Sequence, residues 1–427
     1  MNLLFSPSHL HGTIQAVPSK SASHRAIICA GLANGTSRID NIIFSKDIYA
    51  TIECLKALGA KVICEENAVV VTGASQPSSS PTLPCCESGS TLRFLIPVAA
   101  VLGCNAEFIG EGRLPSRPIT PYLDSLPAQG IAFDYHNTMP FSISGRLKSG
   151  IFTIPGNISS QFITGLMFAL PLCSGDSKII VTGEFESRPY IQMTADMLEK
   201  FGIYIDINDN HINIKGSQTY SPANITVEGD FSQAAFFLVA GAIGTSPITV
   251  NGLDYNHTSQ GDRMIIDLLK QCGADVLVTP SSVTVSPAAK KLMPFSADVR
   301  DIPDLVPIMA ILAARCDGTS NIHHAQRLKL KESDRLQAVA DLLHAIGGQA
   351  DAREDGLTIQ GTAFRSGTVS SMNDHRIAMA AAVASTVSSG DTTLLQAEAV
   401  EKSYPGFYRD YQTLGGICRV IDVEQNT

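Results

Sequence analysis

A chain of 427 residues, 44% hydrophobic and 17% charged, has the composition of a folded protein and is longer than one hydrophobic core normally serves, so two domains are expected. The net charge of −9 argues against nucleic acid or an anionic membrane as the main partner, and any anionic substrate must meet cations gathered locally. The ten Cys form no Cys-x-x-Cys pair and no metal-ligand spacing with His, so neither a metal nor a disulfide framework is expected, and Cys85 and Cys86 read as semi-buried thiols.

Residues 1–10 carry no basic segment ahead of a long apolar core, so no signal peptide is expected and a cytoplasmic location is. The first motif is Val17-Pro-Ser-Lys-Ser-Ala-Ser-His-Arg25, ahead of a helical run over 26–32. It sets two cations and three hydroxyls at a helix start, where free N–H groups and the dipole favour an anion; a Ser-rich cap with surface cations would look the same. Glu87-Ser-Gly-Ser-Thr-Leu-Arg-Phe94 follows, with Gly89 open to a close ligand and Ser90 and Thr91 able to cap a helix carrying Arg93. It is no P-loop, since Gly-x-x-x-x-Gly-Lys-Ser/Thr is absent from the chain. In Arg113-Leu-Pro-Ser-Arg-Pro-Ile119, Pro118 helps to fix Arg117; Ile158-Ser-Ser-Gln-Phe-Ile163 opens an apolar helix, and Ser187-Arg-Pro-Tyr190 ends a β-prone run.

The second half is richer in charge. Asp301-Ile-Pro-Asp304 precedes an apolar helix over 305–314, Leu328–Arg335 groups Lys331, Glu332, Asp334 and Arg335, and Met372–Met379 groups Asp374, His375 and Arg376 before another apolar helix. Lys402-Ser-Tyr-Pro405 comes last. The apolar runs 94–103 and 305–314 are about half of the ~20 residues that a membrane span needs. Any one of these clusters could be an ordinary helix cap, but together they supply the cations of an anion site.

A repeat underlies the whole chain. A helix-like run, a Gly and a β-prone run recur with Gly at 59, 130, 202, 273, 347 and 415, separated by 71, 72, 71, 74 and 68 residues. Gly ends a helix because it accepts positive φ, letting the chain turn back into a strand. A period of about 70 residues exceeds that of a solenoid repeat. It accommodates two helices and three or four strands, so six units in two domains of three are expected. The loop signature Tyr220-Ser-Pro-Ala-Asn224 puts the crossover near Glu228–Asp230.

Taken jointly, Lys20-Ser-x-Ser-His-Arg25, Gly89-Ser-Thr-x-Arg93, Arg117-Pro-Ile, Ser159-Ser-Gln161, Glu228-Gly-Asp230, Ile302-Pro-Asp304, Lys331-Glu-Ser-Asp-Arg335, Asn373-Asp-His-Arg376 and Lys402-Ser-Tyr-Pro405 resemble the EPSP synthases of the enolpyruvyl transferase family, in the family's order. The resemblance implies an α/β (α+β) fold of two similar domains, each of three βαβαββ units around a pseudo-threefold axis. It implies residues 1–19 plus 229–427 as one domain, with the phosphoenolpyruvate-side cations and catalytic acids. Residues 20–228 form the other, on the shikimate 3-phosphate side, and the ligand cleft between them closes on binding. The implied reaction joins phosphoenolpyruvate to the 5-hydroxyl of shikimate 3-phosphate and releases phosphate, in a monomer without metal or organic cofactor. Departures from the usual pattern are Val17-Pro-Ser-Lys20 for Pro-Gly-Ser-Lys, Glu87 where many members have Asn, and Ser45-Lys-Asp47 for Ser-Asp-Asp.

Carried over by position, the resemblance assigns Lys20, Gly89, Arg117, Gln161, Arg335, Arg376 and Lys402 to phosphoenolpyruvate. It assigns Lys20, Ser21, Arg25, Ser159, Ser160, Gln161, Ser187, Tyr190, Asp304, Arg327 and Lys331 to shikimate 3-phosphate. Asp304 is the candidate base at the hydroxyl, Glu332 the candidate donor to C3 with Lys20 competing, and His375 an assistant or an orienting group. Gly89 is expected to leave room for glyphosate. Two alternatives stand beside this reading. The sibling transferase acting on UDP-N-acetylglucosamine typically carries Cys five residues before the Arg of the Arg-Pro segment, where this chain has Gly112. A repeat-built clamp around nucleic acid should be basic, and this chain is acidic.

Overall fold

The computed structural model describes residues 1–421. The chain divides into two compact units, one of residues 1–19 with 228 onward and the other Lys20–Val227. Glu228, expected in the second, falls with the first because its carbonyl accepts from the Ser19 N–H at 2.8 Å. Beside that bond Pro18 bridges Gly229, and the Asp230 N–H reaches the Val17 carbonyl at 2.8 Å.

Among the described residues there are six four-stranded sheets. The pattern is plainest over residues 151–214, where strand Ile151–Pro155, helix Ser160–Ala169, strand Ser177–Thr182, helix Arg188–Lys200 and strands Ile205–Ile207 and His211–Ile214 follow in order. The first two strands pair in parallel, and the second and third each pair antiparallel with the fourth. Buried and open residues alternate along Ser177–Thr182, as in a strand with one face on a core. The same pairing recurs in all six sheets, with chain segments from far away completing three of them. Asn224–Thr226 pairs in parallel with Thr36–Asp40, and Gly12–Gln15 with Ile248–Asn251. Asn2–Ser6 lies antiparallel between Thr392–Leu395 and Ile417–Ile421.

Each sheet's second helix ends at one of the six repeat glycines, and all six have φ between +78° and +106°. The first helix of each unit is different: it is buried on nearly every face, as its unbroken apolar run requires. In Lys20–Val227 these are Lys20–Leu32, Gly89–Leu102 and Ser160–Ala169. Gly165 lets two of them close up, because a Cβ there would stand 2.4 Å from the Arg93 carbonyl. In the other unit they are Phe231–Ile243, Val306–Ala313 and His375–Ser385. Among the described residues no helix is long and apolar enough to cross a membrane.

Candidate active site

Several of the polar motifs sit at the N-terminal ends of these buried helices. At Lys20 the helix begins six residues before the expected run, so the first motif forms the opening turns rather than a preceding loop. At Gly89 the cap is Ser88, whose hydroxyl accepts from the Thr91 N–H at 3.1 Å; Ser90 and Thr91, expected as caps, lie inside the helix. Ser159 caps the third helix and Ser160 begins it. Ser187, at φ +58°, stands immediately before helix Arg188–Lys200, so this segment opens a helix instead of closing a strand; Pro189 at the helix start is the signal that marks it.

Within Lys20–Val227 side-chain bonds draw these ends together. Arg93 donates to the Gln161 Oε1 at 2.7 Å, and Gln161 Nε2 donates to the Ser90 hydroxyl at 2.9 Å. Lys20 Nζ reaches Asp47 at 2.8 Å. Arg25 is buried, with Nε on the Thr194 hydroxyl at 2.9 Å, Nη1 on the Ser21 carbonyl at 2.7 Å and Nη2 on the Tyr190 carbonyl at 3.0 Å. It therefore ties Ser21 to Tyr190. Arg117, also buried, lies flat against Gly89: a Cβ on that glycine would meet three guanidinium atoms at 2.6–2.7 Å. Three helix N-termini with Lys20, Arg93 and Arg117 beside them make an anion-binding face.

The other unit gathers a denser charge cluster. Arg335, 1% exposed, spans three carboxylates: Asp374 at 2.8 Å, Asp304 at 2.8 Å and Glu332 at 2.7 Å. Burial alone would lower its pKa, but the charges of Asp374, Glu332 and Asp304 more than offset that. Arg376 donates to the Ser232 hydroxyl at 2.7 Å, to the Asp304 carbonyl at 3.1 Å and to its carboxylate at 3.1 Å. The starts of the three buried helices in this unit are thereby joined. Lys331 Nζ lies 3.6 Å from Asp304, and burial pushes its ammonium down to about 8, with Asp304 pulling it partly back. Lys402 donates to the Asn373 carbonyl at 2.6 Å. Buried Arg327 donates to the Arg300 carbonyl. His375 stands 3.9 Å from Asp374, beyond hydrogen-bond reach.

Arg93 and Asp47 of the first cluster, and Asp374, Ser232 and Asp262 of the second, were not among the expected site residues. Asp374 is the hub of the second cluster, accepting from Arg335, from the Ser333 hydroxyl and from the Arg376 N–H. Ser232 and Asp262 flank Arg376, and burial with the nearby Asp304 charge raises the Asp262 carboxyl to about 7. The repeat could have found Ser232, since it is the second residue of its helix, as Ser90 is of helix Gly89–Leu102. Asp262 has no such signal, because the Asp304 and Arg376 charges that act on it come from other repeats.

The comparisons fit these faces. The chain matches the EPSP synthase (3-phosphoshikimate 1-carboxyvinyltransferase) family over residues 5–411. A 3-phosphoshikimate 1-carboxyvinyltransferase of Clostridium kluyveri is 46% identical over 414 residues, 96% of each chain. One of Clostridium novyi is 44% identical, covering 97% of this chain and 98% of that one. Among solved structures, an EPSP synthase from Acinetobacter baumannii is similar at TM-score 0.81 and 25% identity, covering 98% of this chain and 100% of that one. The enolpyruvyl transferase NikO from Streptomyces tendae, at TM-score 0.77, 17% identity and 98% of each chain, shares the fold. Fold and family match thus define an enolpyruvyl transferase. Within that class the chain belongs to the EPSP synthase family.

Proposed function

We infer that the chain transfers the enolpyruvyl group of phosphoenolpyruvate to the 5-hydroxyl of shikimate 3-phosphate, releasing inorganic phosphate. Family membership over nearly the whole chain carries this reading, and two faces rich in Arg and Lys at converging helix starts support it.

Phosphoenolpyruvate is assigned to Lys20, Gly89, Arg117, Gln161, Arg335, Arg376 and Lys402, since guanidinium forks match phosphate and carboxylate. Shikimate 3-phosphate is assigned to Lys20, Ser21, Arg25, Ser159, Ser160, Gln161, Ser187, Tyr190, Asp304, Arg327 and Lys331. The 5-hydroxyl oxygen attacks C2 while Asp304 takes its proton. Glu332, or Lys20 in its place, protonates C3 and turns the methylene into a methyl. The tetrahedral adduct then loses a C3 proton, the C2–O bond to phosphate breaks, and the enol ether remains. Asp304 is gripped by Arg335, Arg376 and Lys331. An anion that draws the two guanidiniums to itself removes positive charge from Asp304 and makes it a stronger base. Ligand binding and base activation are then one event. General acid–base help supplies ~10²–10⁴ of the rate, and holding the two substrates in register supplies much of the rest.

Gly112 separates this reading from the sibling transferase. Its φ is +56°, and a Cβ there would stand 2.3 Å from a Glu87 carboxylate oxygen, so a Cys in its place would strain the backbone and displace the Glu87 side chain. Phosphate release from phosphoenolpyruvate, assayed with shikimate 3-phosphate and with UDP-N-acetylglucosamine, decides between them: only the first supports turnover, and turnover with the second alone overturns the reading. We place the enzyme in the cytoplasm as a monomer inhibited by glyphosate. Its ten cysteines are free thiols, which suits a reducing compartment; light scattering in solution tests the monomer.

A further inference from the structure

Four buried polar side chains lie in a line behind the Gly89 turn. His24 Nδ1 is 2.8 Å from the Thr51 hydroxyl, Thr51 is 2.7 Å from the Thr91 hydroxyl, and Thr91 donates to the Ser88 hydroxyl at 2.7 Å. Each of the four is at most 1% exposed. A hydroxyl has one hydrogen to give. That of Thr91 goes to Ser88, so the Thr91–Thr51 bond must use the hydrogen of Thr51. Thr51 then has none left for His24, and the imidazole must be the donor. We propose that His24 is a positioning residue, protonated at Nδ1 and bare at Nε2, that starts a one-way hydrogen-bond chain through Thr51 and Thr91 to Ser88 and so sets the helix start at Gly89 against Arg117.

Three further observations agree. His24 Nε2 is buried without a hydrogen-bond partner among the described residues, a place that suits a lone pair better than an N–H. Burial, with the charges of Lys20 and Arg25, holds the imidazole well below its usual pKa. Those two cations are on its own helix, while the facing Thr51 and Phe94 carry no charge. Ser88 is also the cap of the Gly89 helix, so the chain ends on the group that defines where that helix begins. The effect on phosphoenolpyruvate rests on the assignment of Gly89 and Arg117 to that ligand; the tautomer does not.

Nitrogen-15 spectra of histidine-labelled protein read the tautomer, with the His24 signals identified by their loss in His24→Gln or their shift in Thr51→Val. The expected result is a protonated Nδ1 and an unprotonated Nε2, unchanged from pH 5.5 to 8. Protonation at Nε2, or titration near 6.5, overturns the proposal. Thr51→Val breaks the chain in its middle at equal volume. It should raise KM for phosphoenolpyruvate about tenfold, with KM for shikimate 3-phosphate unchanged, and Thr51→Ser should restore it. A folded Thr51→Val protein with unaltered KM for phosphoenolpyruvate also overturns it. Absence of transfer in the unaltered protein would sink the functional reading instead, leaving the spectra to decide the tautomer.

Discussion

Gly89→Ala tests the phosphoenolpyruvate face most sharply. The added methyl would meet Arg117 Nη1, Cζ and Nη2 at 2.6–2.7 Å, whereas ordinary contact begins at 3.4 Å, so the guanidinium must retreat by about 0.8 Å. At an effective dielectric constant of ~20, moving a unit charge from about 4 to 4.8 Å from a phosphate loses ~0.7 kcal/mol. Weakening a charge-assisted hydrogen bond brings the total to about 0.7–2 kcal/mol, or a three- to thirtyfold rise in KM for phosphoenolpyruvate. Initial rates of phosphate release at saturating shikimate 3-phosphate measure it, and calorimetry should find Tm changed by less than about 2 °C, because only the end of a flexible side chain is displaced. Inhibition by glyphosate should weaken as well. An unchanged KM, or a large fall in Tm, would refute the contact between Gly89 and Arg117 as its basis.

Further outcomes follow from the second cluster. Asp304→Ala should abolish turnover while shikimate 3-phosphate binding stays measurable by calorimetry; near-normal kcat would remove Asp304 from the mechanism. Arg335→Ala strands buried Asp374 with Asp304 and Glu332 and should cost ~3–5 kcal/mol in denaturant unfolding. Lys331, pushed down to about 8, is a cation below that pH and neutral above it, so KM for shikimate 3-phosphate should rise above pH 8 and Lys331→Arg should move that rise upward. Asp262, raised to about 7, keeps its proton in the fold over a range where the unfolded chain has lost it. Stability therefore falls by up to ~1.4 kcal/mol per pH unit between about 4 and 7 and stays lost above, and Asp262→Asn should flatten that fall in thermal melts.

What could be foreseen divides along physical lines. The six repeat glycines were legible because positive φ after a helix is a local demand that few other residues meet, and the structure puts all six there. The long-range closures were not legible: nothing in Asn2–Ser6 says that it completes a sheet with residues 392–395 and 417–421, since pairing is settled by the finished core. Helix starts were misplaced wherever a polar motif was read as a preface. Lys20–Arg25 is helical because the unit buries even its charged turns, Arg25 being 3% exposed. The cations of the site stood out as motif residues, as did Asp304 and Glu332, but the other carboxylates that hold those cations, Asp374 and Asp47, did not. Asp374 looked like a helix cap, which it is, while its grip on Arg335 depends on an element 39 residues away.

The central claim is that the chain adds the shikimate 3-phosphate hydroxyl across the double bond of phosphoenolpyruvate and then eliminates phosphate. Running the reaction in D₂O and following it by ¹H and ³¹P NMR tests this directly. One phosphate should appear per enol ether, with deuterium in the product methylene, because C3 gains a solvent proton as a methyl before losing one. Enol ether free of deuterium, or phosphate released without shikimate 3-phosphate, would contradict the account.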